Sequence, residues 1–542
     1  MTTATATPAT EHTPARSSSR PGRRLLPGLP GAARLRLLLA PLGGLLTAAA
    51  FPPLGLWPLA VLGPALLLAA VRGVRARTAF LAGTAYGLAF FGPMLLWLRN
   101  LGAAPWIGLT LAQALLWGLL AIGLPALWRL RGAPFWVACW WVAAEAVRSR
   151  FPLGGFPWGR LAFSQADAPT LGWVSVLGAP GLGGLLAFTA ACLALLLTAR
   201  GRGRGLLRRA VGSAATVATA LSGLLLLPSA TGGPSATVAA VQGNVPRERT
   251  LAEQARVRQV TANHVAATDR LAEEVRSGRL PTPDLVVWPE NSTDTDPRPD
   301  RLLSGQIGRA VDRLGVPVLV GAILDGPDGR IRNAGLLWRP VSGPGEWYAK
   351  QHLVPFGEYI PLRDTIGGLG DLQLIPRDFV PGTGPAVFRV GPVTLADSIC
   401  YEVGYDSQVR DAVRAGANLL AVQTNNATYM RDGSLGEPLQ QLAIARVRAV
   451  EHDRSVVLAS TTGISATITP DGRTTARTAP WQQSYLVAAL PLRTTTTPAA
   501  HLGPWPEALL TALAAAALLL PPLRHRTAAR RRRVTDRPGA QA

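Results

Sequence analysis

The sequence predicts an α-helical polytopic membrane bundle of eight spans joined to an extracytoplasmic α/β domain. Three observations predict it. Of the 542 residues 48% are hydrophobic, but they crowd into long runs before residue 230 and again near the C-terminus, so the apolar content belongs to one part of the chain. Arginines cluster in alternate gaps between those runs, and the other gaps are poorer, with Arg99 in one and Arg148, Arg150 and Arg160 in another. Between Thr237 and Arg493 the texture changes to short β-rich runs, amphipathic helical stretches and Pro/Gly turns, the pattern of an α/β domain.

A bilayer core takes about 20 mostly apolar residues in helical form. Seven segments before residue 230 suit that length: Leu35 to Phe51, Leu54 to Val71, Thr78 to Leu98, Trp106 to Leu127, Ala133 to Val147, Leu171 to Leu197 and Ala210 to Leu227; an eighth runs from Pro506 to Leu523. Their number, length and lack of a polar face argue against buried helices of a large soluble protein. The fifth is short and carries Glu145, with Arg148 one turn on. An ionisable residue at that depth reads either as functional or as half of an interfacial ion pair.

Positively charged short loops stay in the cytoplasm. Arg16, Arg20, Arg23, Arg24, Arg34 and Arg36 precede span one; Arg72, Arg75 and Arg77 follow span two; Arg129 and Arg131 follow span four; Arg200, Arg202, Arg204, Arg208 and Arg209 follow span six. All lie on one side, so the hydrophilic domain emerges on the other after seven crossings. The tail with Arg524, Arg526 and Arg530 to Arg533 returns to the basic side. This topology accounts for much of the net charge of +22. No helix-turn-helix, zinc or stacking motif accompanies it, so no nucleic-acid partner is expected.

The expected organisation is a disordered cytoplasmic tail over 1–24, a seven-span membrane domain over 25–230, a catalytic domain over 235–495, the eighth span over 506–523 and a basic cytoplasmic tail over 524–542. The tail rests on its Thr, Ala, Ser, Pro and Arg content without apolar period. Strands are expected at Thr237 to Gln242, Leu285 to Trp288, Val316 to Ile323, Ala334 to Trp338, Val387 to Val390, Val393 to Ser398, Leu419 to Gln423, Val456 to Ser460, Ser465 to Thr469 and Leu486 to Leu490. Helices are expected at Leu251 to Ser277, Arg301 to Leu314, Ser407 to Ala415 and Pro438 to His452.

Cys400 is the single cysteine of the hydrophilic part; Cys139 and Cys192 lie in apolar runs and read as small hydrophobes. Cys400 has no disulfide partner beside it, and a lone cysteine is most often inert and buried. Its surroundings point elsewhere, because Glu290 and Cys400 both lie just past strand ends, where open α/β sheets place their chemistry. Lys350 stands out further as the only lysine in the chain. In a protein that otherwise uses arginine, it suits a task that the delocalised guanidinium performs poorly. The alternative for Glu290 is a helix-start carboxylate ahead of Asn291-Ser292-Thr293. No His-x-x-x-His pattern or phosphate-cradling glycine loop is present, so no metal or other cofactor is expected.

Trp288-Pro289-Glu290, Lys350 in Lys-Gln-His-Leu-Val-Pro-Phe-Gly-Glu-Tyr, and Cys400-Tyr401-Glu402 resemble the signature regions of the nitrilase (carbon-nitrogen hydrolase) superfamily. With seven spans before the domain and one after, the wording His-Leu-Val-Pro-Phe-Gly-Glu-Tyr-Ile-Pro resembles the bacterial apolipoprotein N-acyltransferases. Val241-Gln242-Gly243-Asn244, Phe156-Pro157-Trp158 and Thr424-Asn425-Asn426-Ala427 agree. Members often carry an aromatic and a glycine after the Thr-Asn motif; Thr428-Tyr429-Met430 departs from that at the wall of the acyl pocket.

The resemblance implies a nitrilase-like α-β-β-α sandwich with Cys400 as nucleophile, Glu290 as base and Lys350 as oxyanion partner beside the Tyr401 backbone N–H. Glu358, Tyr401 and Glu402 are supporting residues; Asp397 and His352 are spare candidates, the latter for a Cys-His dyad. The implied partners are a phospholipid acyl donor, a diacylated apolipoprotein acceptor and membrane lipid, at a bacterial plasma membrane. A membrane-anchored amidase that hydrolyses to water and a non-catalytic transporter or scaffold are the rival readings.

Overall fold

The computed structural model describes Thr2 and residues 31–199, 204–246, 253–368 and 377–519. The expected tails over 1–24 and 524–542 lie outside the described residues, apart from Thr2.

The N-terminal part is helical: Gly31–Ala49, Leu59–Ala70, Ala76–Met94, Ala103–Ala121, Ala133–Arg148, Val174–Leu197 and Arg204–Leu221. Glycines set how closely these helices approach. A Cβ on Gly63 would stand 2.5 Å from the Gly43 carbonyl oxygen, and one on Gly87 2.6 Å from Ala114 Cα; small residues of this kind let backbones touch where lipid supplies no hydrophobic drive. Among the described residues, Ala103–Leu127, Leu171–Leu197 and Gly205–Leu226 are helices long and apolar enough to cross a membrane. Leu38–Ala49, Leu59–Ala70 and Trp505–Leu519 are apolar but shorter. The Val174–Leu197 helix is kinked at Gly178, whose φ of 69° leaves helical space.

The hydrophilic part folds into two sheets. The first contains β1 (Ser235–Gln242), β2 (Leu285–Val287), β3 (Val318–Asp325), β4 (Ile331–Arg339), β5 (Gly343–Ala349) and β12 (Ser484–Pro491), in the order β12-β1-β2-β3-β4-β5. The second contains β6 (Val387–Val390), β7 (Val393–Ile399), β8 (Leu419–Thr424), β9 (Ser455–Ser460), β10 (Ala466–Ile468) and β11 (Thr474–Arg477), in the order β11-β10-β9-β8-β7-β6. In each sheet a parallel trio, β1-β2-β3 and β7-β8-β9, is flanked by antiparallel strands.

Side-chain alternation assigns the faces. Val238, Val287, Leu319, Leu395, Leu419 and Val457 fill the core between the sheets. Val286, Trp288 and Val320 face outward onto Leu271, Ile307 and Val311 of the helices Glu253–Arg276 and Arg301–Leu314. Leu420 and Val456 face the other way, onto Ile444 and Val450 of the Gly436–His452 helix, in a core continuous with Trp158, Phe163 and Leu182 of the helical part. The result is an α-β-β-α sandwich whose second helical layer is itself covered by the bundle. Of the 17 residues of Gly436–His452, 15 are buried, so this helix has almost no solvent face.

Polar contacts fix the same junction. Gln440 accepts from Trp97 Nε1 at 3.2 Å and Trp158 Nε1 at 3.1 Å, and donates to the carbonyls of Pro52 and Met94 at 3.1 and 3.0 Å. Buried Arg160 pairs with Asp406 on one side and with Glu507 at 2.7 Å on the other, joining the loop after Ala133–Arg148 to the sandwich and to the C-terminal helix.

Glu145 departs from the ion pair expected for it. It makes no ion pair with Arg148; its carboxylate accepts from Leu161 N at 3.0 Å and Trp141 Nε1 at 3.1 Å, while Arg148 donates to the carbonyls of Phe156 and Trp158. Both side chains hold the loop 149–161 against the helix end, a task set by the chain's own unpaired backbone groups.

Candidate active site

The site forms where strands of both sheets end. The chain leaves β2 through Trp288 and Pro289, and Glu290 follows, 5% exposed. Strand β4 carries Asn333 opposite the end of β5, since Ala334 pairs with Ala349, and Lys350 follows directly. That register brings Asn333 and Lys350 onto the same two carboxylates. Lys350 Nζ donates to Glu290 Oε1 at 3.2 Å and to Glu358 Oε1 at 3.0 Å; Asn333 Nδ2 donates to the same two oxygens at 2.7 and 2.8 Å. The second oxygens are also occupied, Glu290 Oε2 by Asn425 N at 2.9 Å and Glu358 Oε2 by Val354 N at 2.7 Å. Lys350 is 1% exposed. Burial works against its ammonium, but the charges of Glu290 and Glu358 outweigh it and hold the group well above the usual lysine range.

Cys400 follows β7 and opens a short 3-10 turn, Cys400–Gly404, with φ of +54°. A non-glycine residue in that region costs about 1–3 kcal/mol and persists only where its surroundings over-determine it. Glu402, fully buried, supplies much of that constraint. Its Oε2 accepts from Ile399 N at 2.9 Å; its Oε1 accepts from Gln351 N at 2.6 Å, His352 N at 3.2 Å and the Tyr348 hydroxyl at 2.9 Å. One carboxylate therefore ties the Cys400 turn to the Lys350 loop. Burial raises Glu402 to about 7, against the pull of these donors and of Lys350.

Tyr401 points away from the cluster. Its hydroxyl donates to the Gly155 carbonyl at 2.9 Å, and its ring stacks with Phe156 and Trp158 at 6.2 and 5.9 Å between centroids. Its side chain fastens the turn to the loop from the helical part. His352 stacks on Tyr405 at 3.8 Å, and both of its influences, burial and then Lys350, push its pKa down. Asp397 lies between the sheets with neither carboxylate oxygen hydrogen-bonded among the described residues; burial, then the Glu402 charge, hold it well above the usual carboxylate range. Tyr429, in the segment that departs from the family wording, meets Trp97 edge to face at 4.9 Å.

Cys400 Sγ accepts from the Thr424 hydroxyl at 3.4 Å. Burial and then the Glu290 charge push the thiol up, and Lys350 pulls it back. A thiol so shifted would have to give up a proton in order to act as a nucleophile. The cluster supplies an acceptor for that proton and a fixed positive charge, the pairing that nucleophilic catalysis requires. Sequence reasoning missed Asn333, for which a polar residue inside the buried strand Ile331–Arg339 was the available signal. Among the described residues, no group of three or more His, Cys, Asp or Glu could hold a metal ion.

Comparison with known proteins adds the family. Residues 43–192 match the model of the apolipoprotein N-acyltransferase N-terminal domain, and residues 237–499 match that of carbon-nitrogen hydrolase. An apolipoprotein N-acyltransferase of Mycolicibacterium smegmatis is 40% identical over 499 residues, covering 86% of this chain and 82% of its own. The chain belongs to the apolipoprotein N-acyltransferase family. A second member, from Pseudomonas syringae pv. tomato, is 30% identical over 90% of this chain and 96% of its own. Among solved structures, an amidase from Nesterenkonia sp. aligns with 49% of this chain and 93% of its own at 19% identity and a TM-score of 0.34. Membership makes this chain an acyltransferase with a carbon-nitrogen hydrolase domain.

Proposed function

We propose that Cys400, Glu290 and Lys350 carry a two-step acyl transfer from a membrane phospholipid to the N-terminal amine of a diacylglyceryl-modified cysteine in an apolipoprotein. The observation that carries this reading is the buried Glu290–Lys350–Glu358–Asn333 cluster acting on Cys400, in a domain whose inner helix is walled by an apolar bundle.

In the first step the Cys400 sulfur attacks the ester carbonyl while Glu290 takes the thiol proton. Two of the three Lys350 N–H bonds are occupied by carboxylates, and the third serves the developing oxyanion, with the Tyr401 backbone N–H as its companion donor. The intermediate collapses, the C–O bond breaks, and the departing lysophospholipid oxygen takes the proton from Glu290. In the second step the acceptor amine attacks the thioester, Glu290 takes its proton, and the sulfur leaves and is reprotonated. Exclusion of water between the steps keeps the thioester from hydrolysis. Glu358 and Glu402 are positioning residues.

The reading includes the topology: a seven-span membrane domain over 25–230, the sandwich over 235–495 outside the cytoplasm, and an eighth span over 506–523 that returns the chain. The arginine asymmetry supports it. Incubation of the full chain in mixed micelles with a labelled phospholipid tests the chemistry. A fatty-acyl adduct on Cys400 and its passage to a diacylated lipopeptide are expected. Release of free fatty acid with no N-acylated peptide would instead establish hydrolysis.

A further inference from the structure

One buried acid outside the triad reaches the nucleophile through two intermediaries. Glu437 lies in the first turn of the Gly436–His452 helix and is 3% exposed. Its Oε2 accepts from Asn426 Nδ2 at 2.6 Å; the same amide nitrogen lies 3.0 Å from Gln441 Oε1 and 3.2 Å from Thr424 Oγ1. On the other side, Ser460 Oγ accepts from Gly463 N at 2.9 Å, so its own proton goes to Asn426 Oδ1, 2.5 Å away. The Asn426 amide is therefore fixed from both ends: a flip would turn its carbonyl oxygen on the Glu437 carboxylate and its NH2 away. With the amide so held, Thr424 Oγ1 accepts an N–H and its hydroxyl proton is left for Cys400 Sγ, 3.4 Å away. A donated hydrogen bond favours a thiolate over a thiol.

We propose that Glu437 is a positioning residue for the nucleophile: it orients Asn426 so that the Thr424 hydroxyl donates to the Cys400 sulfur and favours its ionised form. This rests on Cys400 being the nucleophile of the transfer described above. The sign of the effect separates it from simple electrostatics. The charge of Glu437 by itself raises the Cys400 pKa, as does that of Glu290, while Lys350 lowers it; half-buried Tyr429 faces the same groups. Removing Glu437 for its charge alone would make the thiol more acidic, whereas removing it as a positioning residue makes the thiol less acidic.

The test is the rate of Cys400 alkylation by iodoacetamide against pH, from about 7 to 11, on the full chain in detergent micelles, read at the Cys400 peptide by mass spectrometry; below the midpoint the rate scales with the thiolate fraction, so a shifted midpoint is read as a displaced rate–pH line. Thr424→Val should move the midpoint up by about one pH unit, a tenfold loss of thiolate at a given pH, and Thr424→Ser should restore it. Glu437→Ala should move it up in the wild-type background and add no further rise to Thr424→Val. Glu437→Gln keeps an acceptor oxygen and loses the charge, so its midpoint should hold or fall; this variant carries the test if the alanine variant does not fold. An unmoved midpoint in Thr424→Val, a fall in Glu437→Ala or a rise in Glu437→Gln overturns the proposal. Alkylation needs no acyl donor, so this result stands apart from the fate of the two-step transfer.

Discussion

Glu402→Gln is isosteric and should nevertheless disable the enzyme. All four groups on the Glu402 carboxylate are donors: Ile399 N on one oxygen, and Gln351 N, His352 N and the Tyr348 hydroxyl on the other. A glutamine offers one acceptor oxygen. If it takes the three donors from the lysine loop, its NH2 confronts Ile399 N–H, the amide just before the nucleophile. Hydrogen bonds to a charged group contribute about 1.5–3 kcal/mol, and an orphaned buried N–H costs about 1–3. The combined loss is about 3–5 kcal/mol, concentrated where the backbone must enter the +54° conformation of Cys400. Displacing a nucleophile by about 1 Å costs roughly a hundredfold in rate. The assay is formation of the acyl adduct on Cys400, followed by mass spectrometry in mixed micelles, alongside the thermal unfolding midpoint. A Glu402→Gln protein with wild-type adduct formation and an unchanged midpoint would refute the tie between Glu402 and the nucleophile turn.

Lys350→Met leaves Glu290 and Glu358 buried without their cation, at a cost of about 3–5 kcal/mol, and should slow adduct formation by about 10²–10³-fold; wild-type adduct kinetics would remove Lys350 from the mechanism. Glu437 at about 8 stands above the ordinary 4.5 because burial favours its neutral form. Its stabilising contribution is therefore complete below pH 4.5 and lost as pH rises through 8. The unfolding midpoint should fall between pH 5 and 9, and less steeply in Glu437→Gln; an equal slope in both proteins would contradict this. Asp406 does not disturb that window, since Arg160 and Arg448 overcome burial and keep it ionised until strong acid. Gly335→Ala places a Cβ 2.1 Å from Asp397 Oδ2 and 3.0 Å from Gln423 Oε1, so it should cost about 1–3 kcal/mol. Asp397→Ala should recover part of that loss, and additive losses in the double variant would show that the two sites do not touch.

The most legible strands are those with two buried faces. β2, β3 and β8 carry unbroken apolar runs over 285–287, 318–324 and 419–422 and sit in the middle of their sheets. The edge strands β6 and β12 were legible too, from Val387 to Val390 and Leu486 to Leu490, whereas the edge strands β5 and β11 escaped through their composition. Gly343-Pro344-Gly345 opens β5 with turn residues, β11 is Thr474-Thr475-Ala476-Arg477, and both are largely exposed, so neither shows an apolar run. At the site, Cys400 and Lys350 drew attention as solitary residue types, whereas Asn333 acquires meaning only from the β4–β5 register that sets it beside Lys350. Glu145 shows the opposite error. One helical turn from an arginine, it suggested an ion pair, but the donors it serves are Trp141 of its own helix and Leu161 N of a loop that folds back from beyond the helix end. Among the described residues the helices that reach membrane length are fewer than the eight expected spans, because an apolar run can continue past a helix end, as Thr78 to Leu98 does where the helix stops at Met94.

The burial of Gly436–His452 bears on how this chain can be divided. A catalytic domain cut free near residue 230 would present to water the side of that helix now covered by Trp158, Phe163 and Leu182. It would also strand Gln440 without its two tryptophans and two carbonyls. The severed domain should aggregate, and the two halves expressed together as separate chains should find each other again. The helical part is therefore a wall of the sandwich's interior, and the candidate site beside Cys400 leans on a loop encoded some 250 residues upstream, where Tyr401 meets Gly155 and Phe156.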